Sequence, residues 1–155
     1  MAAKYTCFEV ANYYLKLAKE SGSFISNLKL QKLVYYAQAW HLANYGEPLF
    51  EEDFQAWVHG PAIYALWKKY RKFGWQPISV DPEPLPKFDD KATALLDAVA
   101  RVYLPQDAFA LELMSHKDDP WVAAREGLAS NQNGSTTISK KAIGDYFGKR
   151  LVKKA

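Results

Sequence analysis

Three histidines (His41, His59 and His116), the lone cysteine Cys7 and the carboxylate run Glu51-Glu52-Asp53 are the side chains of this 155-residue chain best suited to acid–base, nucleophilic or metal chemistry. Their spacing decides what they can do. Metal sites legible in sequence pair histidines at i, i+4 or cysteines as C-x-x-C, because those spacings put both ligands on one side of a helix or turn. No such pair occurs here, so a three-histidine site assembled from separate segments is conceivable but unmarked. For nucleophilic catalysis there is no G-x-S-x-G elbow, and Ser115-His116 are neighbours whose side chains need not meet. No glycine-rich phosphate loop appears, which argues against a nucleotide cofactor. The acidic run lies beside a turn and reads as a solvated patch. These residues organise no catalytic set, and the expectation is a non-enzyme without cofactor or metal.

The elements that carry them read as helices. Thr6-Cys7-Phe8-Glu9 has the form of a capping box. The helix it opens puts Cys7, Val10, Ala11, Tyr14, Leu17 and Ala18 on one face and stops at Gly22, so Cys7 points inward, away from the exposed electropositive setting a reactive thiol needs. A second helix, capped by Ser26 or Asn27 and closed by Gly46, is apolar nearly all round apart from Lys29 and Lys32, as suits a central helix. Its Gln31, Gln38 and His41 need buried partners, and for His41 a backbone carbonyl or tyrosine is expected. Phe54-Gln55-Ala56-Trp57-Val58 alternates like a short strand, one half of a small hairpin. Gly60-Pro61 reads as the start of a helix, with proline at its first position. That helix would turn Ile63, Leu66, Trp67, Tyr70 and Phe73 inward and Lys68, Lys69, Arg71 and Lys72 outward, ending at Gly74.

Four prolines, Pro77, Pro82, Pro84 and Pro86, predict an extended connector over 75–90. Beyond it, helices are expected from Asp89 or Asp90 to Leu104, from about Gln106 to His116, from an Asp119 cap to near Gly127, and after Ser139. The stretch from Ser130 to Thr137 reads as an exposed loop. The predicted fold is mainly α: a single compact helical domain spanning 1–155, with six to seven helices and at most a small β hairpin near 54–59.

Composition narrows the function. The chain is 49% hydrophobic and 24% charged, enough for one sizeable core. Aromatics reach 15%, led by 10 Tyr, a bias suited to half-buried contact surfaces. Neither a secretory leader nor an 18-residue apolar run is evident, which predicts a cytoplasmic protein without a membrane partner. The net charge of +3 collects in the last stretch, where residues 137–155 hold six Lys/Arg against one Asp. A basic tail on a neutral body reads first as a solubilising helix face, and binding to nucleic acid is not favoured.

Three blocks together resemble the Panacea domain, the SocA-like antitoxin family carried on phages and other mobile elements. They are Leu28-Lys-Leu-Gln-Lys-Leu-Val-Tyr-Tyr-Ala-Gln-Ala-Trp-His41, Pro48-Leu-Phe-Glu-Glu-Asp-Phe-Gln-Ala-Trp-Val-His-Gly-Pro61 and Ser115-His-Lys-Asp-Asp-Pro-Trp121, followed by the helix after Ile138-Ser139. The resemblance covers about Phe8 to Phe147. It implies an antitoxin that binds a cognate protein toxin, encoded by the adjacent gene, and either occludes it or hands it to a cellular protease. The alternative is a nucleic-acid-binding regulator of a mobile element. Interface hot spots favour Trp, Tyr and Arg, so the expected partner-binding residues are Trp57, His59, Tyr64, Lys68, Arg71 and Lys72. The matching residues Trp40, His41, His116 and Trp121 are expected to hold the fold. Neither the toxin nor any homo-oligomer is specified by these residues.

Overall fold

The Thr6 box closes as its spacing requires. In the computed structural model, which describes residues 3–79, 81 and 83–151, the Glu9 N–H donates to Thr6 Oγ1 at 3.2 Å and the Thr6 N–H to the Glu9 carboxylate at 2.9 Å. Helix α1, Cys7–Ser21, grows from that cap and ends where Gly22 turns left-handed. Cys7 is fully buried, and burial raises its thiol pKa.

Helix α2, Asn27–Tyr45, is capped by the Ser26 hydroxyl and is buried on almost every side, Lys29 and Lys32 included. The reason is its neighbours: α1, the short helix α3 (Tyr64–Tyr70), α4 (Asp90–Tyr103), α5 (Ala108–Ser115) and α7 (Lys140–Gly148) all pack on it. Its apolar residues Leu30, Leu33, Val34 and Ala37 form the middle of the core. Asp89, Asp107 and Ser139 cap α4, α5 and α7 through side-chain oxygens. Helix α6, Asp119–Ala124, begins at the residue expected to cap it, so that Asp118 holds the cap position with Pro120 in the first turn, and it ends short of the expected Gly127.

A three-stranded antiparallel sheet lies beside the helices in the order β2-β1-β3. Strand β1, Phe54–Trp57, follows the alternation read from the sequence. Strand β2, Gly60–Ala62, corrects the expectation that Gly60-Pro61 begins a helix. These residues pair with β1, Trp57 opposite Gly60 and Gln55 opposite Ala62, and α3 begins only at Tyr64. Proline is tolerated because β2 is an edge strand and Pro61 owes no ladder N–H. The basic helix is also shorter than expected, since Arg71–Phe73 tighten into a 3-10 turn before Gly74. Strand β3, Thr137–Ile138, arises at the end of the expected loop, with Ile138 opposite Phe54. Over its described residues the proline connector forms no helix or named strand, and it is pinned where the Ile78 N–H donates to Ile25 O at 2.9 Å. Its Pro82, and the lysines of the tail beyond Leu151, lie outside the described residues.

Candidate functional site

Polar residues of α2 hold the hairpin and the start of α3 against the core. Gln38 spans the turn before β1, donating to Phe50 O at 2.7 Å and accepting from the Leu49 N–H at 2.7 Å. Gln31 accepts from the Ile63 N–H at 3.0 Å and donates to Asn27 Oδ1, whose amide donates to Trp67 O. Lys32 Nζ donates to Pro61 O at 2.9 Å. Apart from the Gln31–Asn27 link, each of these bonds gives a backbone group a partner. Gly60 sits where they converge. A Cβ there would lie 2.5 Å from Ser115 Oγ and 2.7 Å from Lys32 Cε, and its φ of 108° disfavours any other residue.

Between α2, the hairpin and the end of α3 opens a cavity of about 210 Å³. Three indoles, Trp57, Trp67 and Trp75, line it, with Gln31 and Lys32 from α2 and His59 and Arg71 at its edge. Trp57 and Trp67 meet edge to face at 5.7 Å, and Tyr64 lies 6.4 Å from both rings. The Arg71 guanidinium rests over Trp67 at 5.5 Å. His59 joins the turn to α5 through the Glu112 carboxylate at 3.1 Å, and Trp75 meets its ring edge-on.

The charge on this wall is one-sided. Among the described residues none that lines the cavity is acidic. Lys32 is 1% exposed, and burial pushes its amine down to about 7, with the more distant Glu112 charge pulling the other way. A buried lysine amine behind three indoles, bonded to a backbone carbonyl and to no carboxylate, is an uncommon arrangement, since burying a lysine head normally requires a carboxylate partner. Among the described residues no three His, Cys, Asp or Glu side chains converge to hold a metal.

The family described as "Antitoxin SocA-like, Panacea domain" matches residues 30–122 of this chain, the stretch that carries Gln31, Lys32, Gln38, the hairpin and the lining of the cavity except Asn27 and Leu28. The chain belongs to that family. It is also 29% identical over 150 residues, covering 89% of this chain and 80% of the other, to the protein named Antitoxin SocA of Caulobacter vibrioides (strain NA1000 / CB15N). No solved structure matches it. Membership places this Panacea domain among the antitoxins of toxin–antitoxin systems.

Of the six residues expected to bind a partner, the fold of this Panacea domain brings Trp57, His59 and Arg71 to the lining of the cavity, and Tyr64 lies beside it against the Trp57 and Trp67 rings. Lys68 and Lys72 stand apart from its wall, exposed on the outside of α3 and the 3-10 turn. Lys32, Trp67 and Trp75 were not among those six. Lys32 reads in sequence as a polar exception in an apolar helix, and Trp67 as core. Trp40, His41, His116 and Trp121 make contacts within the fold. The His41 Nδ1–H donates to Glu47 O at 2.6 Å, and burial lowers the pKa of its ring. His116 stacks on Trp121 at 4.3 Å, the Trp121 indole N–H donates to Trp57 O at 2.8 Å, and the Trp40 indole N–H donates to the Tyr103 hydroxyl. The acidic run is also engaged: Glu52 accepts from the Cys7 N–H, and Asp53 pairs with Lys140 at 2.6 Å. Among the described residues no helix is long and apolar enough to cross a membrane.

Proposed function

We propose that this Panacea domain neutralises a cognate protein toxin by direct contact, through the surface around the cavity, acting in stoichiometric amounts and without a cofactor. Trp57, His59, Tyr64 and Arg71 form the centre of that surface, and Lys68 and Lys72 its basic flank. The observation that carries the reading is the cluster itself: half-buried indoles with a guanidinium laid across one of them, open to solvent at Tyr64 and at Trp75, which is 72% exposed. Such clusters of Trp, Tyr and Arg dominate binding energy at protein interfaces. The antitoxin family of the chain supports a toxin as the protein bound, and the bacterial cytoplasm is where the two would meet.

The test is co-expression with the product of the adjacent gene, tagging only this chain. Growth arrest by the neighbour alone, relieved by this chain with a complex that survives a high-salt wash, is the expected result. Relief accompanied by loss of the neighbour, and only in cells with an intact protease, would assign delivery for degradation in place of occlusion. Arg71→Glu reverses charge at an exposed position and is expected to abolish co-purification and relief together while leaving the circular dichroism spectrum unchanged. Trp57→Ala should weaken the complex at least tenfold, as hot-spot truncations of about 2 kcal/mol do. Full binding by both folded variants would overturn the surface assignment.

A further inference from the structure

We propose that the cavity is a socket for the C-terminal residue of the protein partner, holding an apolar side chain against Trp57, Trp67 and Trp75 and meeting the terminal carboxylate with Lys32 and Arg71. This rests on the proposed function, in which the surface faces a protein. Size argues for a single residue. The space of about 210 Å³ falls below the ~300 Å³ at which pockets for drug-sized ligands begin. Charge argues for an acid. Lys32 and Arg71 line the space and no described lining residue is acidic, the Glu112 carboxylate being engaged by His59, and the Lys32 ammonium has one hydrogen-bond partner among the described residues, Pro61 O. An ammonium carries three donors, so it retains capacity for an incoming acceptor.

The walls decide which acid fits. An aspartate or glutamate side chain offers a carboxylate on one or two methylenes, too little apolar body to cover three indoles. A chain terminus with a large side chain presents both parts in one residue, and capture of a C-terminal carboxylate is a recurring mode of peptide recognition. Arg71 at the exposed rim admits the acid, and the buried Lys32 rewards full insertion.

The probe is N-acetyl-L-phenylalanine, compared with N-acetyl-L-phenylalaninamide, titrated into the full chain while the indole N–H signals of its five tryptophans are followed by NMR. Saturable shifts are expected at Trp57, Trp67 and Trp75, with Trp40, which lines a separate cleft against α4, unmoved. For fifteen heavy atoms a dissociation constant of about a millimolar is reasonable. The amide should bind at least about tenfold more weakly, the usual weight of one charge-assisted hydrogen bond. Lys32→Met should remove most of the difference between acid and amide. Arg71→Gln, at an exposed position that does not threaten folding, should narrow the same difference. Equal binding of acid and amide to the unaltered protein, or no shift at the three indoles, overturns the socket. If the probe fails but the toxin complex survives, only the socket falls. If the probe binds but deleting the last residue of the co-purifying neighbour leaves the complex intact, the partner's terminus is excluded as occupant.

Discussion

Replacing Lys32 with methionine should make this protein more stable, although it removes a hydrogen bond. Burial moves the amine from 10.5 to about 7. At 1.36 kcal/mol per pH unit, that gap is a desolvation cost of up to about 5 kcal/mol. Against it stands the bond to Pro61 O, with a net value of about 1 kcal/mol plus about 1–2 kcal/mol for the carbonyl left unpaired. Methionine fills the volume of the lysine stem and carries no charge. The expected balance is a gain of about 2 kcal/mol at pH 7.

The pH dependence has a definite sign. Unfolded, Lys32 keeps its proton up to about 10.5, whereas folded it releases it above about 7. Between those values the unfolded chain binds more protons, so the cost is full below pH 7 and relieved as pH rises toward 10.5. The groups around the amine are Glu112, which holds its pKa up, and His59, His116 and Arg71. The wild type should therefore recover about 2 kcal/mol relative to the variant between pH 7 and 9. Guanidinium unfolding followed by circular dichroism at several pH values measures this directly. A variant less stable than wild type at pH 7, or a difference constant with pH, would refute the reasoning and make Lys32 an ordinary structural staple. If the gain appears, the lysine is held at a cost to the fold, as functional residues often are.

Two further substitutions test how the site is built. Gly60→Ala places a Cβ against Ser115 and Lys32 at a φ of 108°, and should lower stability by about 3 kcal/mol in the same denaturation assay. Gln38→Leu leaves the Leu49 N–H and Phe50 C=O buried without partners, and should lower stability by about 3 kcal/mol, with amide exchange of the 49–54 segment accelerating first.

Local rules carried the reading of this chain a long way. The Thr6–Glu9 box, the Ser26, Asp89 and Ser139 caps and the Gly22 and Gly46 stops involve residues a few positions apart, and each closes as its spacing requires. An α2 without a polar face had to be central, and it is. The Gly60-Pro61 turn shows where such rules fail. Proline at the first position is a sound helix signal, but β1 supplies a strand partner and α2 supplies Gln31 and Lys32 to the freed backbone groups, so the segment pairs as β2 instead.

The site divides along the same line. The sequence alone determined that Trp57, His59, Tyr64 and Arg71 fall close together along the chain, and that the protein has more aromatic surface than a core needs. Only the tertiary structure decided that Lys32 would lose its water, because that depends on β2 and α5 closing over it from distant parts of the chain. It likewise placed Trp67, read from the sequence as core, on the wall of a cavity and brought Trp75 from the start of the connector to join it. Helix caps and apolar stripes are settled by neighbours within a turn or two, whereas desolvation and cavity shape are settled by whichever segments arrive from elsewhere, and those leave no local mark.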